Sequence, residues 1–99
     1  MTPRHDPGYE KNGREKLIGY ANDLDVYWEP IPDNEFCGYV LVVGSEERKI
    51  YNSIGDSVFN YDVFTLEDGV LQEEGARDLH ITPHDMCLIY QLLTEHDVI

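Results

Sequence analysis

The stretch Phe36-Cys37-Gly38-Tyr39-Val40-Leu41-Val42-Val43-Gly44 decides the fold of this chain. It carries no charge and is rich in the β-branched and aromatic side chains that favour strands. A half-exposed strand alternates apolar with polar residues, and this stretch does not. We therefore predict a central strand, over residues 36–43, that is buried on both faces.

Further strands are predicted on both sides of this central strand. The sequence predicts them over residues 25–31, 48–52, 58–66 and 70–71. Asp68-Gly69 is the strongest hairpin signal, because both residues tolerate the positive φ of a tight turn. Short connections of this kind join antiparallel neighbours, so we expect a meander sheet of four to five strands.

A helix is predicted at each end of the sheet. Near the N-terminus, from residue 14, apolar residues recur at helical spacing. The C-terminal helix has a clearer start, because Thr82 can cap it and Pro83 suits its first position. The residues that form the apolar face of the N-terminal helix are Leu17, Tyr20, Ala21 and Leu24.

The apolar stripe of the C-terminal helix is wider than a single sheet face requires. Leu88 and Leu92 provide the additional width. We expect both side chains to pack against the first helix or against a second subunit, so self-association as a homodimer is a possible role for them.

Together these elements predict an α+β fold: an antiparallel meander with an N-terminal and a C-terminal helix packed on it. A chain of 99 residues is the size of one domain. Residues 1–13 contain two prolines and two glycines, which predicts a flexible arm before a single domain over residues 14–99.

The net charge of −13 is the strongest constraint on function. No basic residue lies between Lys16 and Arg48, and none lies between Lys49 and Arg77. Nucleic acid and anionic membranes would be repelled by such a surface. The charge favours a basic protein as the partner.

No motif for catalysis or for a cofactor is present. The most metal-like spacing is His80-x3-His84-x2-Cys87, with Cys37 as a distant fourth candidate. These residues fall on a loop, a helix and a strand without a paired-cysteine motif, and no calcium-loop pattern occurs. We therefore predict no enzyme activity, no metal and no cofactor.

The two cysteines are too few for a disulfide framework, and the chain shows neither a signal-peptide pattern nor a long apolar run. We predict free thiols and a soluble, cytoplasmic protein.

In size and charge, the chain resembles small acidic inhibitors of nucleases, of CRISPR complexes and of restriction complexes, and nuclease-immunity proteins. This resemblance implies a phage or host inhibitor that mimics DNA by presenting carboxylates at the spacing of phosphates. Tyrosine beside acid, as at Tyr27 and Glu29, would add anchoring contacts. The predicted partner-binding residues are Asp62, Glu67, Asp68, Glu73, Glu74, Asp33, Glu35, Tyr27 and Glu29.

The alternative is a salt-adapted domain whose acidity is solvation and which assembles through its C-terminal helix. Such a domain would need high salt to screen its self-repulsion, whereas an inhibitor would fold in dilute buffer.

Overall fold

A computed structural model describes residues 14–32, 34–51, 53–55, 59–75 and 77–99 of the chain. Five antiparallel strands form one sheet in the order of the sequence, and one helix follows them. The predicted meander and the predicted C-terminal helix are thus confirmed. The elements are β1 (Lys16–Ala21), β2 (Leu24–Ile31), β3 (Asn34–Val43), a one-turn 3₁₀ helix (Glu46–Arg48), β4 (Tyr61–Glu67), β5 (Val70–Glu74) and α1 (Pro83–Glu95).

The stretch around Val40 forms the middle strand, β3, which pairs with β2 on one side and with β4 on the other. Val40 and Val42 are fully buried in the main core, beneath α1. Leu41 points to the opposite face and is also buried. Burial on both faces is therefore confirmed for the centre of this strand, whereas Phe36 at its start is 58% exposed.

The predicted N-terminal helix is wrong, because its residues form β1 and the beginning of β2. Asn22 has a φ of 58° and opens a two-residue turn between these strands. Ala21 and Leu24 face each other across that turn in the main core. Leu17 and Tyr20 lie on the other side of the sheet and are exposed. The helical spacing was a coincidence, and pairing with β2 outweighs the local helix signal.

The predicted strand over residues 48–52 is also absent from the described residues of that segment. Residues 46–48 form the 3₁₀ helix instead, and Lys49 makes only an isolated bridge with Leu79. The backbone N–H of Ile50 donates to the carbonyl of Asp78, and that of His80 donates to the carbonyl of Arg48. This segment therefore pairs with the approach to α1 and not with the sheet.

Helix α1 begins as predicted. The Thr82 hydroxyl accepts the backbone N–H of Asp85 at 3.1 Å, and the Asp85 carboxylate accepts the N–H of Thr82 at 2.9 Å. This reciprocal capping box satisfies two donors that the helix itself leaves open.

The side chains of Leu88 and Leu92 are half-buried and pack against the main core. A Cβ built on Gly19 of β1 would lie 2.6 Å from a methyl carbon of Leu92. The element that Leu92 contacts is therefore a strand and not a first helix. Self-association through these leucines stays a prediction.

The arm predicted over residues 1–13 lies outside the described residues. Within the described part, no helix is long and apolar enough to cross a membrane. Cys37 and Cys87 form no disulfide, as predicted.

Candidate functional site

The two faces of the sheet differ sharply. One face packs against α1 and forms the main core. The other face has a small apolar cluster in which Leu41 and Val63 are buried beneath the half-buried rings of Tyr27, Tyr39 and Tyr61. None of the described helices or strands covers it. We call this surface the tyrosine face: the side chains of the five strands that point away from α1.

Strand register brings the tyrosine face together from distant parts of the sequence. Tyr27 pairs with Leu41, which pairs in turn with Val63 on the next strand. Because directly opposed residues in an antiparallel sheet share a face, these side chains form one row across three strands. Tyr39 and Tyr61 lie in the neighbouring rows of the same face.

The edge strand β1 extends this surface. Leu17 pairs with Tyr27, and Tyr20 pairs with Asp25. Leu17 is 46% exposed and Tyr20 is 62% exposed. The tyrosine face thus presents aromatic and aliphatic groups to solvent over a width of at least four strands.

Acidic side chains surround the tyrosine rings. By strand alternation, Asp25, Glu29, Glu67 and Glu74 lie on this face, and none of the described strand residues on it is lysine or arginine. Glu67 is exposed, whereas Asp25 and Glu74 are half-buried. Glu29 is buried at the end of β2, where its carboxylate pairs with Arg14 at 3.2 Å.

The predicted acidic hairpin is real, but it divides its acids between the two faces. Asp68 and Gly69 form the β4–β5 turn with φ values of 53° and 76°. Glu67 and Asp68 are exposed there. Glu74 lies on the tyrosine face, whereas Glu73 lies opposite Phe64 of the main core and pairs with Arg77 at 2.8 Å. Only part of the hairpin therefore contributes to one acidic surface.

Asp62, also predicted to bind a partner, is not on the surface. Its side chain is fully buried, and its two carboxylate oxygens accept the backbone N–H groups of Asp78 and Leu79 at 2.7 and 3.2 Å. Asp62 has this position because it alternates with Tyr61 and Val63 and so points to the α1 side. The carboxylate fixes the segment that leads into α1 and is not accessible to a partner.

The remaining predicted residues have mixed outcomes. Tyr27 and Glu29 are neighbours on the tyrosine face. Asp33 lies outside the described residues, as does the side chain of Glu35. Sequence reasoning missed Tyr39, Tyr61, Tyr20 and Asp25 as members of the face. Tyr39 and Tyr61 could have been found from the period-two alternation of β3 and β4, if the alternation on one strand had been aligned with that on the next.

A second group of charges, at the start of α1, is structural. The Asp85 carboxylate is almost fully buried and receives the Arg48 guanidinium at 2.5 Å and the side-chain amide of Asn22 at 2.6 Å. Arg48 also donates to Asp23 at 2.9 Å. Burial alone would raise the pKa of Asp85, but the hydrogen bonds from Arg48, Thr82 and Asn22 together hold this pKa well below its usual range. These contacts tie the β1–β2 turn, the 3₁₀ segment and the helix together.

Within the described residues, no three His, Cys, Asp or Glu side chains are grouped closely enough to hold a metal ion. Comparison of the chain with protein-family models, with curated proteins and with solved structures gives no match.

Proposed function

We propose that this chain is a non-enzymatic acidic inhibitor. It binds the basic, nucleic-acid-contacting surface of a DNA- or RNA-handling protein in the cytoplasm, as inhibitors of the anti-CRISPR, anti-restriction or nuclease-immunity type do. The observation that carries the proposal is the tyrosine face, where partly exposed tyrosines lie among acids and none of the described strand residues on that face is lysine or arginine.

The tyrosines and the acids have different energetic roles in this proposal. An exposed ion pair contributes only about 0–1 kcal/mol, so acids alone give little affinity. Aromatic side chains at the centre of an interface can each contribute about 2 kcal/mol or more. Tyr27, Tyr39 and Tyr61 would therefore anchor the complex, and the surrounding carboxylates would steer the partner and select a basic one.

The charge also disfavours a second copy of this chain as the occupant of the tyrosine face. Each copy carries a net charge of −13, and pairing two such faces would bring carboxylates of one sign together. A surface that normally binds phosphates has the opposite charge and offers lysine and arginine donors to carboxylates. Charge complementarity therefore favours a nucleic-acid-binding protein.

Two double variants with the same net charge test this assignment. Glu67→Gln with Glu74→Gln changes acids on the tyrosine face, whereas Glu47→Gln with Glu95→Gln changes exposed acids on the 3₁₀ helix and on α1. Each pair changes the net charge from −13 to −11, because two charges are removed. The parent chain is used for affinity capture from a host lysate, and both variants are then compared for binding to the captured protein.

We expect the captured protein to bind nucleic acid, DNA or RNA to compete with the chain for it, and only the Glu67/Glu74 variant to lose affinity. Equal loss in both variants, or a partner indifferent to nucleic acid, would overturn the assignment. The salt-adapted alternative is tested separately by circular dichroism in dilute buffer, where an inhibitor is folded and a salt-dependent domain is not.

A further inference from the structure

A pocket of about 640 Å³ lies at the end of the sheet, beside the C-terminal end of α1. Ile18, Trp28 and Val98 provide much of its apolar wall, and Arg14, Lys16 and His96 contribute cationic or hydrogen-bonding groups. This volume is within the range of roughly 300–1,000 Å³ that small-molecule sites occupy. An apolar wall with a few convergent polar groups is also the usual composition of such sites.

The pocket is unusual for this chain because it collects basic side chains. Elsewhere in the described part, Arg48, Lys49 and Arg77 each form an ion pair with an acid. Arg14, at the pocket, pairs with Glu29. Among the lysines and arginines of the described residues, Lys16 alone forms no ion pair within the described part. Its side chain lines the pocket together with His96.

The local charge balance differs from that of the rest of the molecule. At the pocket, Arg14 and Lys16 offset Glu29 and Asp97, whereas the whole chain carries −13. An anion would therefore meet less repulsion here than over the acidic surfaces. It would also find donors, because the Lys16 ammonium and a ring N–H of His96 can both bind an oxyanion.

We propose that this pocket binds a small organic anion, a molecule with an apolar ring or chain and one carboxylate or phosphate group. The apolar part would lie against Trp28, and the acidic group would be bound by Lys16 and His96. A cation of the same shape would be attracted by Asp97 and by the Glu29 carboxylate, which already pairs with Arg14, but it would be repelled by Lys16. This site shares Glu29 with the tyrosine face, but Lys16 and Trp28, on which the proposal depends, lie on the opposite face of the sheet.

The chain contains a single tryptophan, so one indole N–H signal in a nitrogen-15 correlation spectrum reports on the pocket. We would titrate the folded protein with naphthylacetate, naphthyl phosphate, naphthylmethylamine and acetate. We expect a saturable shift of the Trp28 signal with either naphthyl anion, and the ratio of their affinities identifies the preferred acidic group. The affinity of the amine should be lower than that of the anions by at least about 10-fold, since the amine lacks the charge-assisted contacts. Acetate should give no saturation, because it lacks the apolar body.

Two lysine variants assign the anion contact. Lys16→Gln should weaken binding of the better anion by about 10-fold, the effect of one charge-assisted hydrogen bond. Lys49→Gln removes the same charge from a side chain that does not line the pocket, and it should retain the parent affinity. The absence of a saturable shift, amine binding as tight as anion binding, or equal losses in the two variants would overturn the proposal.

Discussion

Replacing Asp85 by asparagine tests whether the charged cluster at the start of α1 holds the domain together. The substitution preserves the size of the side chain but removes the charge that faces Arg48. It also leaves one carbonyl oxygen where two carboxylate oxygens now accept hydrogen bonds from Arg48, Asn22 and Thr82. An amide NH₂ in the place of Oδ2 would point at the donors of Arg48 and Thr82, which cannot accept from it. In the place of Oδ1 it would face Asn22, whose side-chain amide would have to turn over to accept.

The expected cost follows from burial. Asp85 is 1% exposed, and the side chain of Arg48 is 18% exposed. Breaking a buried pair by removing one partner costs about 3–5 kcal/mol when the remaining charge is left without compensation. Because Arg48 keeps its ion pair with Asp23, we expect the low end, about 3 kcal/mol. A domain of this size has a free energy of unfolding of roughly 5–15 kcal/mol, so Asp85→Asn should remove a large part of it. Each kcal/mol lowers Tm by about 4–8 °C.

Urea unfolding at neutral pH measures this loss, and the pH dependence gives a second check. The folded-state pKa of Asp85 lies below its unfolded value, which is about 3.9. Its contribution is therefore complete above that pH and is lost as the pH falls further. The difference in stability between parent and variant should accordingly shrink below about pH 4.

Glu47→Gln is the matched control, because Glu47 is exposed and loses the same charge. It should change the free energy of unfolding by no more than about 0.5 kcal/mol. An Asp85→Asn variant as stable as this control, with an unchanged dependence on pH, would refute the assigned role of Asp85.

Substitutions at Gly38, Gly44 and Leu92 probe the sheet and its contact with α1. Gly38→Ala would place a Cβ 2.2 Å from the Glu29 carbonyl oxygen and 2.8 Å from the Pro30 Cα, so we expect a loss of about 3 kcal/mol or more in urea unfolding. Gly44→Ala, whose Cβ would meet only side chains at 3.1–3.2 Å, should cost less, and equal losses would contradict the assigned β2–β3 contact. Leu92→Ala should cost about 2 kcal/mol, the low end for leucine because Leu92 is half-buried against β1. If Leu92 also forms a dimer seam, Leu92→Asp will sediment as a monomer where the parent does not.

Several features of the fold could be predicted because they depend on residues a few positions apart. The capping box joins Thr82 to Asp85, and the β4–β5 turn needs only Asp68-Gly69. The uncharged run around Val40 predicted the central strand, because such a run favours a strand whose centre is buried on both faces. The excess of acids is also evident from the sequence, but the sequence does not show on which surfaces these acids lie.

Tertiary structure alone decided which of these residues share a surface. Leu17 and Tyr20 have helical spacing, yet pairing with β2 makes them part of a strand. Asp62 reads as a surface acid, and only the strand's orientation toward α1 shows that it is buried. The tyrosine face combines side chains of five strands, and the pocket joins Lys16 to His96. Strand register and packing bring these distant residues together. A local sequence pattern cannot predict such contacts, because its periodicity depends only on residues close to one another in the chain.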